Sequence, residues 1–205
     1  MKKRLPFILF AFLLCGCANK TSTESHFILD EIKTVVNWKG YTKNGDFNEG
    51  TIGVQSEYLT LDKNNDLQGT FLFPLLSITN SNLSSNDQKQ QLIKKLHSED
   101  FFFLVFYPEI KFTITRMEPF EKTGEDTIKK SNYIVTGDLV ILGKAMPVSI
   151  PVNVSLKDHT LAVNGGFRID LTQWGMNYIK DTLTTGKYSV QPYVDIDIKI
   201  FADRL

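Results

Sequence analysis

Three histidines, two cysteines and a few spaced carboxylates are the side chains in this sequence equipped for catalysis or metal binding. His26, His97 and His159 lie far apart: in or near a polar N-terminal stretch, at a helix end and in a tight turn. No pair has metal-ligand spacing. Paired carboxylates do acid–base work when burial shifts their pKa values. Asp195 and Asp197, and Asp170 two positions from Arg168, stand instead on the polar side of alternating segments. That placement predicts a solvated outer wall, with Arg168 and Asp170 an ordinary surface pair. The chain has no Gly-x-Ser-x-Gly elbow, phosphate loop or Gly-rich dinucleotide turn. The expectation is a protein that is not an enzyme, with no catalytic residue, metal or cofactor.

Both cysteines sit at the end of an export signal. Lys2, Lys3 and Arg4 precede an apolar run from Leu5 to Leu14, interrupted by Pro6. About ten apolar residues are too few for a permanent membrane span but suit a signal core. The run closes as Leu14-Cys15-Gly16-Cys17. A Leu, two small residues and a Cys resemble the bacterial lipobox, and small Gly16 makes Cys17 the acceptor of diacylglycerol. The expected division is a lipoprotein signal peptide over 1–16, a lipidated tether over 17–26 and one domain over 27–205. Loss of Cys15 with the signal and acylation of Cys17 leave the domain without a thiol for a disulfide or a nucleophile. Ala18, where an Asp would resemble an inner-membrane retention signal, favours the outer membrane, with the domain facing the periplasm.

The 205 residues carry 23 Lys+Arg against 23 Asp+Glu, which provides no electrostatic footprint for nucleic acid. A 42% hydrophobic content with 15 Phe argues against disorder and for one well-filled domain. From Phe27 onward the apolar period is two. Tyr193-Val194-Asp195-Ile196-Asp197-Ile198-Lys199-Ile200 alternates without error, so Val194, Ile196, Ile198 and Ile200 share one face. Similar patterns predict strands near Thr34–Tyr41, Thr51–Leu61, Leu67–Ser77, Glu109–Pro119, Tyr133–Leu142, Pro147–Leu156 and Leu161–Leu171. Gly165-Gly166 inside the seventh suggests a bulge or bend. About eight antiparallel strands point to a sandwich or a closed up-and-down barrel.

One helix interrupts the series. Ser84 or Ser85 caps it, and Leu92, Ile93 and Leu96 share a face. It runs into Asp100-Phe101-Phe102-Phe103-Leu104-Val105-Phe106-Tyr107-Pro108, where odd and even positions are both large and apolar. That composition predicts burial on both sides.

Four stretches in order resemble the YceI-like family: Trp38-x-Gly40 with Gly50; Leu96-His97-Ser98-Glu99-Asp100-Phe101-Phe102 with Tyr107-Pro108 and Phe112; Gly137 through Gly143 with Pro147-Val148; and Phe167-Arg168-Ile169-Asp170 before Trp174-Gly175. The resemblance runs from about Val36 to Ile200. It implies an all-β, eight-stranded antiparallel, lipocalin-like barrel with one short α-helix, and an apolar channel that in family members holds a polyisoprenoid or similar lipid. Members often carry a His near the position of Gly50, where this chain has Asn48-Glu49.

The aromatic residues then become the candidate site. An eight-stranded barrel is either filled by its own side chains or holds one small ligand. Inward positions predict a lining of Trp38, Phe71, Phe73, Phe112, Ile114, Leu139, Ile141, Phe167 and Ile169, with Phe101 and Phe102 gating one mouth and Trp174 packed under a corner. The expected partner is a long apolar lipid, isoprenoid or quinone-like, with the membrane engaged through Cys17. The alternative is a ligand-free envelope interaction or stress-response module with a solid barrel, its surface work centred on a loop such as Phe120 to Asn132. The oligomeric state stays open, a homodimer included.

Overall fold

The longest strand organises the molecule. A computed structural model of the chain describes residues 24–64, 66–120, 131–176 and 190–205. Its eleven strands are β1 (Ser25–Leu29), β2 (Val35–Thr42), β3 (Phe47–Ile52), β4 (Leu59–Leu61), β5 (Leu67–Gln68), β6 (Thr70–Pro74), β7 (Glu109–Pro119), β8 (Tyr133–Ile141), β9 (Lys144–Lys157), β10 (Thr160–Asp170) and β11 (Val190–Arg204). The segment expected to be a signal peptide, Cys17 and most of the 120–132 loop lie outside the described residues.

β6 to β11 form an antiparallel meander, each strand bonded to the next. The other edge of β11 is shared: Val190 to Lys199 pair with β2 and its last residues with β1. β2 continues into β3, and β1 into β4 and β5. The two ends of the sheet then meet. Gln55 and Leu72 exchange backbone hydrogen bonds of 2.8 Å, and the Thr79 and Ser81 amides donate to the Thr51 and Glu49 carbonyls. The result is a nearly closed, lipocalin-like antiparallel barrel with one α-helix among the described residues, α1 (Asn86–His97).

Several predicted strands are subdivided. Thr51–Leu61 splits into the end of β3 and a separate β4, because Gly53 leaves the ladder and donates its amide to Ser77 Oγ at 2.8 Å. Leu67–Ser77 splits into β5, β6 and a 3-10 turn, Leu75–Ser77. β1 begins at Ser25, within the stretch read from sequence as tether, and places Phe27 fully buried.

Gly165-Gly166 is not a bulge. β10 keeps continuous register with β11 through both residues, Gly165 opposite Ile198 and Gly166 opposite Asp197. Gly165 is instead the last residue paired with β9, where a Cβ would come within 2.8 Å of the Pro151 carbonyl oxygen. Close strand approach explains the glycine. The register shifts lie elsewhere, between Ile114 and Arg116 on β7 and near the start of β11.

The aromatic run after α1 also departs from expectation. Phe103 takes a left-handed φ of 49°, and the amides of Phe106 and Tyr107 both donate to its carbonyl. The run is therefore a coiled turn. Phe101 is buried, but Val105 and Phe106 are 85% and 69% exposed.

Candidate ligand channel

Alternation builds the interior. On β11, Val194, Ile196, Ile198 and Ile200 face inward opposite Ile169, Phe167, Gly165 and Val163 of β10. The outer faces are polar and mutually satisfied. Arg168 binds Asp195 with two hydrogen bonds, 2.5 and 2.8 Å, and Tyr41 Oη donates to the same carboxylate at 2.7 Å. The Arg168 guanidinium, then the Tyr41 hydroxyl, hold the Asp195 carboxyl below its ordinary range. Tyr41 is pushed up, first by its bond to Asp195. Arg168 thus pairs across strands with Asp195 and not with Asp170. Asp170 Oδ1 accepts from the Thr172 amide and hydroxyl, starting the 3-10 turn Leu171–Trp174.

Two cavities occupy the interior. The deeper, about 120 Å³, is lined by apolar residues alone, among them Phe71, Phe73, Phe112, Ile114, Leu139, Ile141, Phe167 and Ile169. The outer, about 200 Å³, is lined by Trp38, Phe101 and Phe102 together with Leu92 and Leu96 of α1 and Val190, Gln191 and Val194 of β11. Ile52, Ile110, Ile141, Ile169 and Ile196 line both, so the cavities adjoin. All eleven lining positions named from the sequence fall on one or the other. Each cavity has the scale of an engineered one, about 150 Å³, that stays dry and binds benzene. The interior therefore holds two adjoining cavities with a predominantly apolar lining.

The two ends differ. Phe27, Leu59, Leu161 and Ala202 are essentially inaccessible and plug the end formed by β1 and β4. The helix end holds the outer cavity and its polar rim: Tyr41, Thr42, Asn48, Lys95 and Gln191. α1 is capped by Ser85, whose hydroxyl accepts from the Gln88 amide. Its far end is fastened by His97, whose Nε2 donates to the Leu75 carbonyl at 2.9 Å. None of its residues is fully buried, so it lies as a cover on the mouth.

Sequence reasoning passed over Val36, Ile52, Leu67, Ile110, Val135, Val148, Ile150, Val152 and Val163, which complete the deep lining together with Ile196, Ile198 and Ile200 of β11. Their alternation on the predicted strands was the available signal. Trp174 is a corner residue, 3% exposed, with Nε1 donating to the Leu139 carbonyl at 3.0 Å.

A nearly closed antiparallel barrel around apolar-lined cavities, covered at one mouth by a helix, defines a lipocalin-like fold. The YceI-like domain model matches residues 21–202, and the chain belongs to that family. A UPF0312 protein of Photorhabdus laumondii subsp. laumondii is 31% identical over 123 residues, 57% of this chain and 58% of that protein. The chain thus spans a little over half the length of that relative. Among solved structures, Burkholderia cenocepacia BcnA shares the fold at a TM-score of 0.62 and 21% identity, over 84% of this chain and 98% of that one. A polyisoprenoid-binding domain from Saccharophagus degradans, implicated in plant cell wall breakdown, gives 0.59 at 12% identity, over 90% and 99%.

Proposed function

We propose that this chain is a lipid-anchored, periplasm-facing envelope protein, held at the outer membrane through Cys17, that sequesters or carries a long isoprenoid or quinone-like lipid. The adjoining apolar cavities carry this reading. The mechanism is desolvation and not covalent chemistry: each buried CH₂ contributes about 0.8 kcal/mol, so a chain lipid binds tightly without a polar motif along its tail. The polyisoprenoid-binding neighbour supports the ligand class. The lipobox-like Leu14-Cys15-Gly16-Cys17 supports the anchor.

One observation favours the solid-module alternative. Leu76, Val105 and Phe106 stand 75%, 85% and 69% exposed on the segments flanking α1, a surface suited to a protein partner. Native mass spectrometry with organic extraction separates the two readings, using the chain from Asn19 exported without Cys17, whose own acyl groups would mimic ligand. A stoichiometric added mass that extracts as one lipid class is expected. A clean apo mass, unchanged after incubation with polyprenyl quinones, would refute the channel reading and turn attention to the exposed patch.

A further inference from the structure

The two cavities have a floor. Phe27, Leu59, Leu161 and Ala202 close the β1–β4 end with essentially no accessible surface, and none of the four lines either cavity. A ligand chain therefore enters from the helix end and stops where the deep cavity stops. Five residues line both cavities, and all are isoleucines: Ile52 of β3, Ile110 of β7, Ile141 of β8, Ile169 of β10 and Ile196 of β11. β-Branched side chains are stiff at χ1, so this junction is a collar with little freedom to swing aside. The walls are paired strands, and close-packed interiors do not yield further room without strain.

We infer that the channel selects by chain length: it encloses only two to three isoprene units, and the further units of a longer chain stay outside the mouth. This rests on the channel reading and narrows its ligand from long chains to short ones. Volume sets the limit. A cavity of about 150 Å³ holds one benzene, or about 25 Å³ per carbon. On that scale the deep cavity, about 120 Å³, takes about five carbons, and the outer one, about 200 Å³, takes about eight. A chain of about thirteen carbons fills both, which falls between two and three isoprene units. Two residues of the deep cavity fix its depth. Phe71 of β6 lies opposite Phe112 of β7, and Val163 of β10 lies opposite Ile200 of β11; both are buried and neither reaches the outer cavity.

The test uses prenyl alcohols of one, two, three, four and eight isoprene units. Binding is read from the emission of Trp38, which lines the outer cavity. In wild-type protein each unit up to the third should lower Kd by at least about tenfold, since one buried carbon is worth about fourfold. Each unit after the third should change Kd by less than about threefold. Phe71→Val removes four carbons from the wall of the deep cavity and should move the break to four units. Val163→Phe adds four carbons there and should move it back to two. Thermal melting shows which variants are folded, and the wild-type series decides by itself if neither is. A Kd that keeps falling as steeply from three to eight units, or a break that folded variants do not move, would overturn the length limit and leave the channel standing. If no alcohol of the series binds wild-type protein, the channel reading itself fails, and the limit with it.

Discussion

Gly40→Leu should close the mouth without disturbing the barrel. Gly40 lines the outer cavity between Val194 on β11 and Asn48 on β3, and a Cβ built there meets nothing within 4 Å. Its φ is not left-handed, so a side chain adds no backbone strain. Replacing glycine inside a strand removes a conformational cost, about 0.5–1 kcal/mol. The leucine side chain brings four carbons into a cavity of about 200 Å³. If it displaces as many ligand carbons, at about 0.8 kcal/mol each, roughly 3 kcal/mol of binding is lost, near two orders of magnitude in Kd. Titration with a polyprenyl quinone, read by quenching of the two tryptophans, measures Kd; thermal melting measures the fold. The expected result is a Kd raised about a hundredfold with Tm unchanged or higher. Unchanged Kd would refute ligand passage through this mouth, and a large fall in Tm would show that Gly40 is structural. Gly50→Ala is the opposing control: its Cβ would overlap the Thr79 carbonyl oxygen, so it should lose stability first.

Gly137→Ala places a Cβ 2.5 Å from both the Phe112 ring and the Thr113 carbonyl, and overpacking of this kind costs about 1–3 kcal/mol in a denaturant titration. Trp174→Phe strips the Leu139 carbonyl of its donor and should cost about 1 kcal/mol, while Trp38→Phe in the empty protein should cost no hydrogen bond at all. Asp195 has a depressed pKa, so the stability it contributes is fully present above the ordinary carboxylate value and is lost as pH falls through its lower folded value. Asp195→Asn should therefore flatten the acid limb of a stability–pH profile, and an unchanged limb would exclude the Arg168–Asp195 pair as its source.

The sequence was most legible where one rule governs each residue. Period-two alternation assigned Phe112, Ile114, Leu139 and Ile141 to the inner face because neighbours on a strand have no other choice. What failed to show depends on register between distant segments. Arg168 faces Asp195 only because β10 and β11 pair with those two residues opposite each other, a fact that local spacing pointing to Asp170 does not contain. The exposure of Val105 and Phe106 follows from the left-handed turn at Phe103, which no composition rule marks. That the rings leave an apolar cavity, and do not fill the barrel, is a matter of volume and not of pattern. That Trp38 Nε1 has no hydrogen-bond partner among the described residues is likewise a property of its surroundings, and the aromatic residue type alone gives no sign of it.

The placement of β1 bears on how an anchored barrel would work. The described chain enters at the plugged end: Phe27 pairs with Arg204, at the finish of β11, whereas the mouth is built on Val190, Gln191 and Val194 at its start. β11 has 15 residues. At strand rise and ordinary barrel tilt it spans roughly 35–40 Å along the axis. The stretch from Cys17 to Glu24, even fully extended, reaches at most about 28 Å. An acyl group on Cys17 would therefore hold the plugged end toward its membrane and turn the mouth away. Such a barrel would exchange lipid with a carrier or a facing membrane more readily than with the bilayer that tethers it. A fluorophore at Gln90 on α1 should then escape quenching by spin-labelled lipids in vesicles carrying the acylated protein, while one at Lys63, between β4 and β5, is quenched. Strong quenching at Gln90 would place the mouth against the anchoring bilayer and reverse the direction of exchange.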